Sequence, residues 1–194
     1  MRVVRRCTLT LLISLLATLP LGATTVLPLD LVDLSSRAAS IAAGIVLSAE
    51  PGSVQVGGAT LPTVTYEILV EEGFKGTFVT KGDQSVLAIT TIGDLKGDAA
   101  ASGSVRKLTS IPGLPQLKVG SQYLLFTTAP SAIGLSTTVG LGTGCFEIHG
   151  DGDKALVVNE LDNAGVFQGL PGLPVSGPVT YGVLAQELRN ILGQ

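Results

Sequence analysis

The sequence contains few of the residues that catalytic and metal sites use most often. Its 194 residues include one histidine, His149, two cysteines, Cys7 and Cys145, and no tryptophan. One histidine cannot supply the two-histidine zinc motif of a metalloprotease, and the chain has no Cys-X-X-Cys pair. A Gly-X-Ser-X-Gly elbow, a phosphate-binding glycine loop and a dinucleotide fingerprint are also missing. We therefore expect neither enzymatic activity nor a cofactor.

The first 23 residues have the organisation of a secretory signal peptide. Arginines at positions 2, 5 and 6 precede a mainly apolar run from Leu9 to Leu21, and the small residues Gly22 and Ala23 follow. The run is shorter than the roughly 20 residues that a membrane span needs. The sequence therefore predicts cleavage after Ala23 and a protein exported to the periplasm or the extracellular space, without a membrane span after cleavage.

The predicted exported chain, residues 24–194, is acidic and lacks a cysteine pair. Nine basic residues stand against fifteen acidic ones after cleavage, which gives a net charge of −6. Such a chain has no basic surface for nucleic acid. Cys7 leaves with the signal peptide, so we expect a fold without an intrachain disulfide. The abundance of glycine, threonine and valine favours a single β-rich domain.

The pattern of apolar residues predicts several short strands flanked by two helices. An N-terminal helix should follow Asp30, and a C-terminal amphipathic helix should carry Tyr181, Leu184, Leu188 and Ile191 on one face. Glycine and proline indicate a loop from Glu50 to Pro62 and a second loop from Gly93 to Ser104. Strands are predicted at residues 40–48, 63–72, 85–92, 121–129, 135–149 and 154–160. This order predicts a small antiparallel β-barrel with a short N-terminal helix and a C-terminal helix.

The segment "CFEIH" holds the candidate catalytic or metal-binding residues, Cys145, Glu147 and His149. Alternate residues of a strand share a face, with successive same-face α-carbons about 6.6 Å apart. Shared exposure of these side chains would form a weak transition-metal site or a Cys/His nucleophile pair. In the alternative interpretation Cys145 is a small buried apolar residue of a structural strand.

Asp151 and Asp153 form a second candidate metal site, for calcium. An EF-hand loop would continue with a further oxygen ligand and a glycine, but Ala155 and Leu156 occupy those positions. A hairpin turn from Gly150 to Asp153 explains the same residues, since Asp-Gly tolerates positive φ.

Several segments together carry a resemblance to known proteins. The order of "TYEILVEEGFKG", "LKVGSQYLLF", "GLGTGCFEI", "VVNELDNAGVF" and a final amphipathic helix resembles an uncharacterised family of exported bacterial proteins. The "FKG" and "YLLF" segments are also similar to netrin-like modules, an OB-fold barrel family that includes protease inhibitors. Those inhibitors insert an N-terminal cysteine into the protease, whereas this exported chain should begin at Thr24 or Thr25. The resemblance therefore implies a netrin-like, OB-like barrel without that inhibitory mechanism.

The favoured hypothesis is a non-enzymatic exported binding or accessory module whose partner is an extracytoplasmic protein or polymer. One alternative is an accessory module that resembles protease inhibitors. The other is a small metal-binding protein or hydrolase that uses Cys145, Glu147 and His149.

Overall fold

A computed structural model of the chain describes residues 29–94 and 113–194. The predicted signal peptide and most of the predicted loop from Gly93 to Ser104 lie outside these residues. The helices are α1 (Leu31–Arg37) and α2 (Tyr181–Leu192), with two short 3-10 helices at Leu141–Gly144 and Gly152–Lys154. The strands are β1 (Ser40–Val56), β2 (Ala59–Lys75), β3 (Val79–Lys81), β4 (Gln84–Ile92), β5 (Gln122–Thr127), β6 (Cys145–His149), β7 (Leu156–Asn159) and β8 (Val179–Thr180). Neither α1 nor α2 is long and apolar enough to cross a bilayer.

The eight described strands form one antiparallel sheet in the order β3-β4-β2-β1-β5-β6-β7-β8. The prediction of a mainly β fold with two helices is confirmed, but the prediction of a closed barrel is wrong. Closure would require the two edge strands to pair, and β3 and β8 stand at opposite ends of the order. They contain only three and two residues, and β8 runs directly into α2, so neither offers a ladder long enough for closure.

Helix α1 begins where the sequence predicts. Asp30 has extended backbone geometry, and its side chain accepts a hydrogen bond of 2.7 Å from the N–H of Asp33. This bond satisfies one of the free donors of the first turn. Leu31, Leu34 and Ala38, which the spacing places on one face, are buried against the sheet.

Helix α2 is attached to β2 by polar and apolar contacts. Leu184 and Leu188 are fully buried, whereas Tyr181 and Ile191 are only partly buried. The phenol of Tyr181 donates a 2.6 Å hydrogen bond to Glu72, and Arg189 pairs with the same carboxylate. These contacts hold the C-terminal helix against the end of β2.

The sheet carries an apolar cluster on each face. The first cluster lies under the helices and includes Phe126, Phe146 and Ile148. The second cluster lies on the opposite face and includes Tyr66, Leu125 and Cys145. Residues of β6 therefore alternate between two buried faces, which is why both Phe146 and Cys145 are core residues. The register of β1 with β2 shifts at three places, and such bulges bend the paired strands around a core.

The predicted loop from Glu50 to Pro62 is instead the outer part of a long hairpin. Strands β1 and β2 pair as far as Val56 and Ala59, and Gly57 and Gly58 make the turn with φ values of 56° and 82°. Strand β5 pairs only with Ser40–Ile45 of β1, and β4 only with Thr63–Leu69 of β2. Residues 50–62, here called the β1–β2 arm, therefore extend past their neighbouring strands.

Two buried asparagines fix the loop after β7. The N–H of Asn159 donates to the side chain of Asn163, and the N–H of Asn163 donates to the side chain of Asn159, both at 2.8 Å. The amide of Asn163 also donates to the carbonyls of Val157 and Gly177. Asn163 has a φ of 55°, a left-handed conformation that asparagine tolerates better than most residues.

Candidate functional site

Strand β6 places the three sequence-predicted candidates on one face. Cys145, Glu147 and His149 alternate with Phe146 and Ile148, as the strand period requires. Their exposure increases along the strand: Cys145 is 9% exposed, the side chain of Glu147 is 31% exposed and that of His149 is 54% exposed. The shared face therefore begins in the core and ends in solvent.

The thiol of Cys145 is held in its neutral form. Burial and, to a smaller extent, the carboxylates of Glu160 and Glu147 together raise its pKa to about 12. The thiolate is the form that attacks electrophiles and binds metals. At neutral pH this environment therefore keeps the sulfur a neutral, weakly polar group.

Glu147 makes one long ion pair, with Lys118, and lies near the imidazole of His149. Its carboxylate lies 3.7 Å from Lys118 Nζ and 3.9 Å from His149 Nε2. Exposed pairs of this kind contribute little to stability. Within residues 29–94 and 113–194, no group of three or more His, Cys, Asp or Glu side chains is placed to hold a metal ion.

Asp151 and Asp153 lie in the turn between β6 and β7. The turn contains the 3-10 helix Gly152–Lys154, and Gly150 and Gly152 have φ values of 98° and 63°. Asp153 packs against the start of α2, because a Cβ added to Gly182 would lie 2.9 Å from the Cβ of Asp153. A carboxylate beside a helix N-terminus is stabilised by the helix dipole. The turn interpretation accounts for both residues, and Asp153 additionally contacts α2.

A cavity of about 190 Å³ lies beside Cys145, and we call it the polar cavity. Its chemically distinctive lining residues are Gln116, Lys118, Tyr123, Cys145, Glu147 and Glu160. Glu160 comes from the end of β7, and its carboxylate rests directly over Gly142. A Cβ at position 142 would lie 1.6 Å from Glu160 Oε1, so this glycine leaves the space that the carboxylate occupies. Cys145 and Glu147 were candidates from the sequence, whereas Lys118 was not, and Glu160 was considered only as a residue that could approach Asp151 and Asp153, because only the fold brings four separate segments together.

A second and larger cavity, of about 490 Å³, opens at the end of β4, and we call it the apolar cleft. Its lining residues are Thr91, Ile92, Leu114, Thr128, Ala129, Ser131, Leu135, Ser136, Thr137 and Leu141. None of these ten residues is charged. This site could not be predicted from the sequence, because its residues come from strand ends and from an irregular segment without apolar periodicity.

Comparison with known proteins gives no relative on which to base a function. No protein-family model matches the chain, and no curated protein or solved structure matches it either.

Proposed function

We propose that this protein is an exported, non-enzymatic binding module, and that the apolar cleft receives an apolar group of an extracytoplasmic protein or polymer. The observation that carries this proposal is the cleft itself. Its volume of about 490 Å³ lies within the range of roughly 300–1,000 Å³ that is usual for ligand sites. Aliphatic and hydroxyl side chains line it, which is the composition of a binding surface and not of an acid–base centre.

The cleft has walls that are fixed before any partner arrives. The N–H of Ser136 donates a 2.7 Å hydrogen bond to the carbonyl of Thr90, and the N–H of Thr90 donates to the Ser136 hydroxyl at 3.2 Å. Thr128 and Thr137 exchange two further bonds, of 2.8 and 3.2 Å. A pre-formed site loses less conformational entropy on binding than a flexible one.

A matched pair of substitutions tests the proposal. Leu135 lines the cleft, whereas Ile133, two residues earlier in the same segment, is 47% exposed and does not line it. Immobilised wild type, Leu135→Asp and Ile133→Asp would be exposed to periplasmic extract and culture medium at physiological salt. Retained proteins and polymers would then be identified and quantified. Circular dichroism would establish that all three chains are folded.

We expect the wild type and Ile133→Asp to retain the same partner and Leu135→Asp to lose it, because a carboxylate in an apolar site is costly to desolvate. Equal retention by all three chains would place binding elsewhere. Retention of nothing by the folded wild type would count against the binding function itself.

We also propose that the curved sheet is an opened relative of the OB-like, netrin-like barrel. The bulged β1–β2 pair and the apolar cluster around Tyr66 and Leu125 support this idea, as does the C-terminal helix packed on the opposite face. An experimental structure compared with netrin-like barrels strand by strand would test it. A different strand order would exclude it.

A further inference from the structure

The hydroxyl groups that line the apolar cleft have donors that the protein itself does not use. Half of the ten lining residues carry a hydroxyl, namely Thr91, Thr128, Ser131, Ser136 and Thr137. The oxygens of Thr128 and Ser136 each accept a bond of 3.2 Å from a backbone N–H. Ser131 Oγ accepts a third bond, of 3.1 Å, from the N–H of Leu135. In no hydrogen bond among the described residues does one of the five hydroxyls donate, so the cleft is rich in unused O–H donors.

One of these hydroxyls is closed to water as well. Thr137 Oγ1 is buried and has no hydrogen-bond partner among the described residues. Such a group costs the folded state free energy, and native proteins keep few of them. Because this hydroxyl makes no bond, a rotation about χ1 that turns it toward the cleft breaks none. A ligand in the cleft can therefore supply the partner that the described residues do not.

The charge of the lining restricts the ligand further. None of the ten described lining residues is charged, so a carboxylate or an ammonium group would lose its hydration there without gaining a counter-charge. A neutral ester carbonyl accepts hydrogen bonds and has no donor of its own, which matches a lining of unused donors. The aliphatic side chains of Ile92, Leu114 and Leu135 line the same cleft and suit an alkyl chain.

We propose that the apolar cleft recognises an aliphatic acyl ester carried on an extracytoplasmic polymer, and that the hydroxyl of Thr137 donates to the ester carbonyl. This inference rests on the proposed binding function of the cleft and names the group that the cleft receives. A polymer is favoured over a membrane lipid as the carrier, because the acidic composition of the predicted exported chain is repelled by an anionic membrane surface.

The first experiment compares two small ligands of the same shape. Methyl butanoate carries the ester, and 2-ethyl-1-pentene has the same heavy-atom skeleton without oxygen. Each would be titrated into ¹⁵N-labelled wild type and Thr137→Val, with the amide shifts of the cleft residues as the readout. We expect Thr137→Val to weaken methyl butanoate binding by about tenfold, because one hydrogen bond is lost. Binding of 2-ethyl-1-pentene should be unchanged, because it makes no hydrogen bond with the hydroxyl.

A control variant and a cleft variant separate the possible outcomes. Thr80→Val makes the same change at an exposed position of β3 outside the cleft and should alter the binding of neither ligand. Undiminished methyl butanoate binding by folded Thr137→Val would overturn the proposal. If Leu135→Asp then loses both ligands, the cleft is still a binding site and only the ester assignment fails. Binding of neither ligand by the folded wild type would count against the cleft as a binding site and against this proposal together.

The second experiment tests the carrier of the ester. Wild type and Thr137→Val would be tested for binding to dextran that carries butanoyl esters, to unmodified dextran and to phosphatidylcholine vesicles. We expect the wild type to bind the esterified dextran only, and Thr137→Val to bind it about tenfold more weakly. Vesicle binding that equals or exceeds binding to the esterified dextran would overturn the assignment to a polymer.

Discussion

At the scale of single residues, two neighbouring threonines after β5 differ in how their hydroxyls are satisfied. Thr138 Oγ1 donates a 2.6 Å hydrogen bond to the carbonyl of Leu141. Thr137 Oγ1 is buried and has no hydrogen-bond partner among the described residues. A buried hydroxyl without a partner is a cost to the folded state, whereas a bonded one is a net gain.

Replacing each threonine with valine should therefore change stability in opposite directions. We expect Thr137→Val to raise the free energy of unfolding by about 1 kcal/mol, because an isosteric methyl group replaces an unsatisfied hydroxyl. Thr138→Val should lower the free energy of unfolding by about 1 kcal/mol, because the variant lacks the hydroxyl that donates to the carbonyl of Leu141. Urea denaturation of both variants measures the difference. A stability loss in Thr137→Val would mean that its hydroxyl is satisfied in solution.

Asn163 is a second residue whose side chain determines local structure. It is fully buried, accepts from the N–H of Asn159, and donates to the carbonyls of Val157 and Gly177. Asn163→Ala leaves these groups unsatisfied and places alanine at a positive φ, so we expect a loss of about 3 kcal/mol. Asn190→Ala, which removes an exposed asparagine of α2, is the control and should change stability by less than about 0.5 kcal/mol. Chemical denaturation measures both.

The raised pKa of Cys145 makes a testable link between pH and stability. The thiol titrates near pH 9 when exposed and near pH 12 in the fold, so the unfolded state ionises first. The contribution of this residue is complete below about pH 9 and falls by about 1.4 kcal/mol per pH unit between those values. The tyrosines also titrate in this range, so the measurement is the difference in unfolding free energy between wild type and Cys145→Ala. A difference that is constant with pH would contradict the burial of a neutral thiol.

At the scale of secondary-structure elements, the β1–β2 arm shows how proline is accommodated in a strand. The carbonyl of Pro62 accepts a hydrogen bond from the N–H of Gly93, which lies on the side away from β1. Pro62 and its partner Ser53 therefore form a non-hydrogen-bonded pair, in which the backbone groups of each residue point away from the other strand. Pro51 lies two residues before Ser53 and faces the same outer edge. Proline here therefore costs no hydrogen bond within the hairpin. It removes one donor from an edge that no described strand covers, where pairing with another chain would begin.

Restoring that donor should increase self-association. We expect Pro51→Thr to shift the protein toward dimers or larger species at high concentration, because the outer edge of β1 then carries an uninterrupted row of donors. Ser53→Thr adds the same side chain two residues away, where the donor already exists, and should behave as wild type. Sedimentation velocity over a concentration series compares the two. Identical behaviour would mean that the edge is protected by other means.

The elements also show which parts of the fold can be predicted from sequence. Helices α1 and α2 were predicted correctly because Asp30 supplies a side-chain cap and Leu184 and Leu188 follow the helical period. The prediction of a loop for the arm was wrong because Pro51 and Pro62 indicate a break in a strand. Only the pairing register reveals that the backbone of each proline points away from the other strand of the hairpin. The position of Glu160 beside Cys145 could not be predicted, because it depends on the contact between the end of β7 and Gly142.

At the scale of the whole molecule, the central strands are buried on both faces. Phe146 and Leu124 belong to the cluster under the helices, and Leu125 and Cys145 to the cluster on the other face. Strands buried on both faces have no alternation between apolar and polar residues, and "YLLF" in β5 follows this rule. The sheet thus depends on the helices for one half of its core.

Removing α2 should convert the protein to a loosely packed state. A chain ending at Thr180 lacks Leu184 and Leu188 and exposes the cluster that they cover. We expect retained β-sheet circular dichroism, strong binding of an apolar fluorescent dye and a reduced urea m-value, since less surface is buried in the folded state. The variant Val183→Ala, at an exposed position of α2, is the control. Cooperative unfolding of the truncated chain with an unchanged m-value would show that α2 is dispensable.

The uneven pairing of β1 has a consequence for how the protein exchanges its amide hydrogens with solvent. Among the described strands, Ser40–Ile45 have a neighbour on each side, whereas the stretch from Glu50 to Val56 has one only. Opening the arm requires the loss of a single ladder, while opening the first part of β1 requires disruption of the central sheet. One continuous strand therefore contains both fast-exchanging and slow-exchanging amides, and the boundary between them lies near the bulge after Val46.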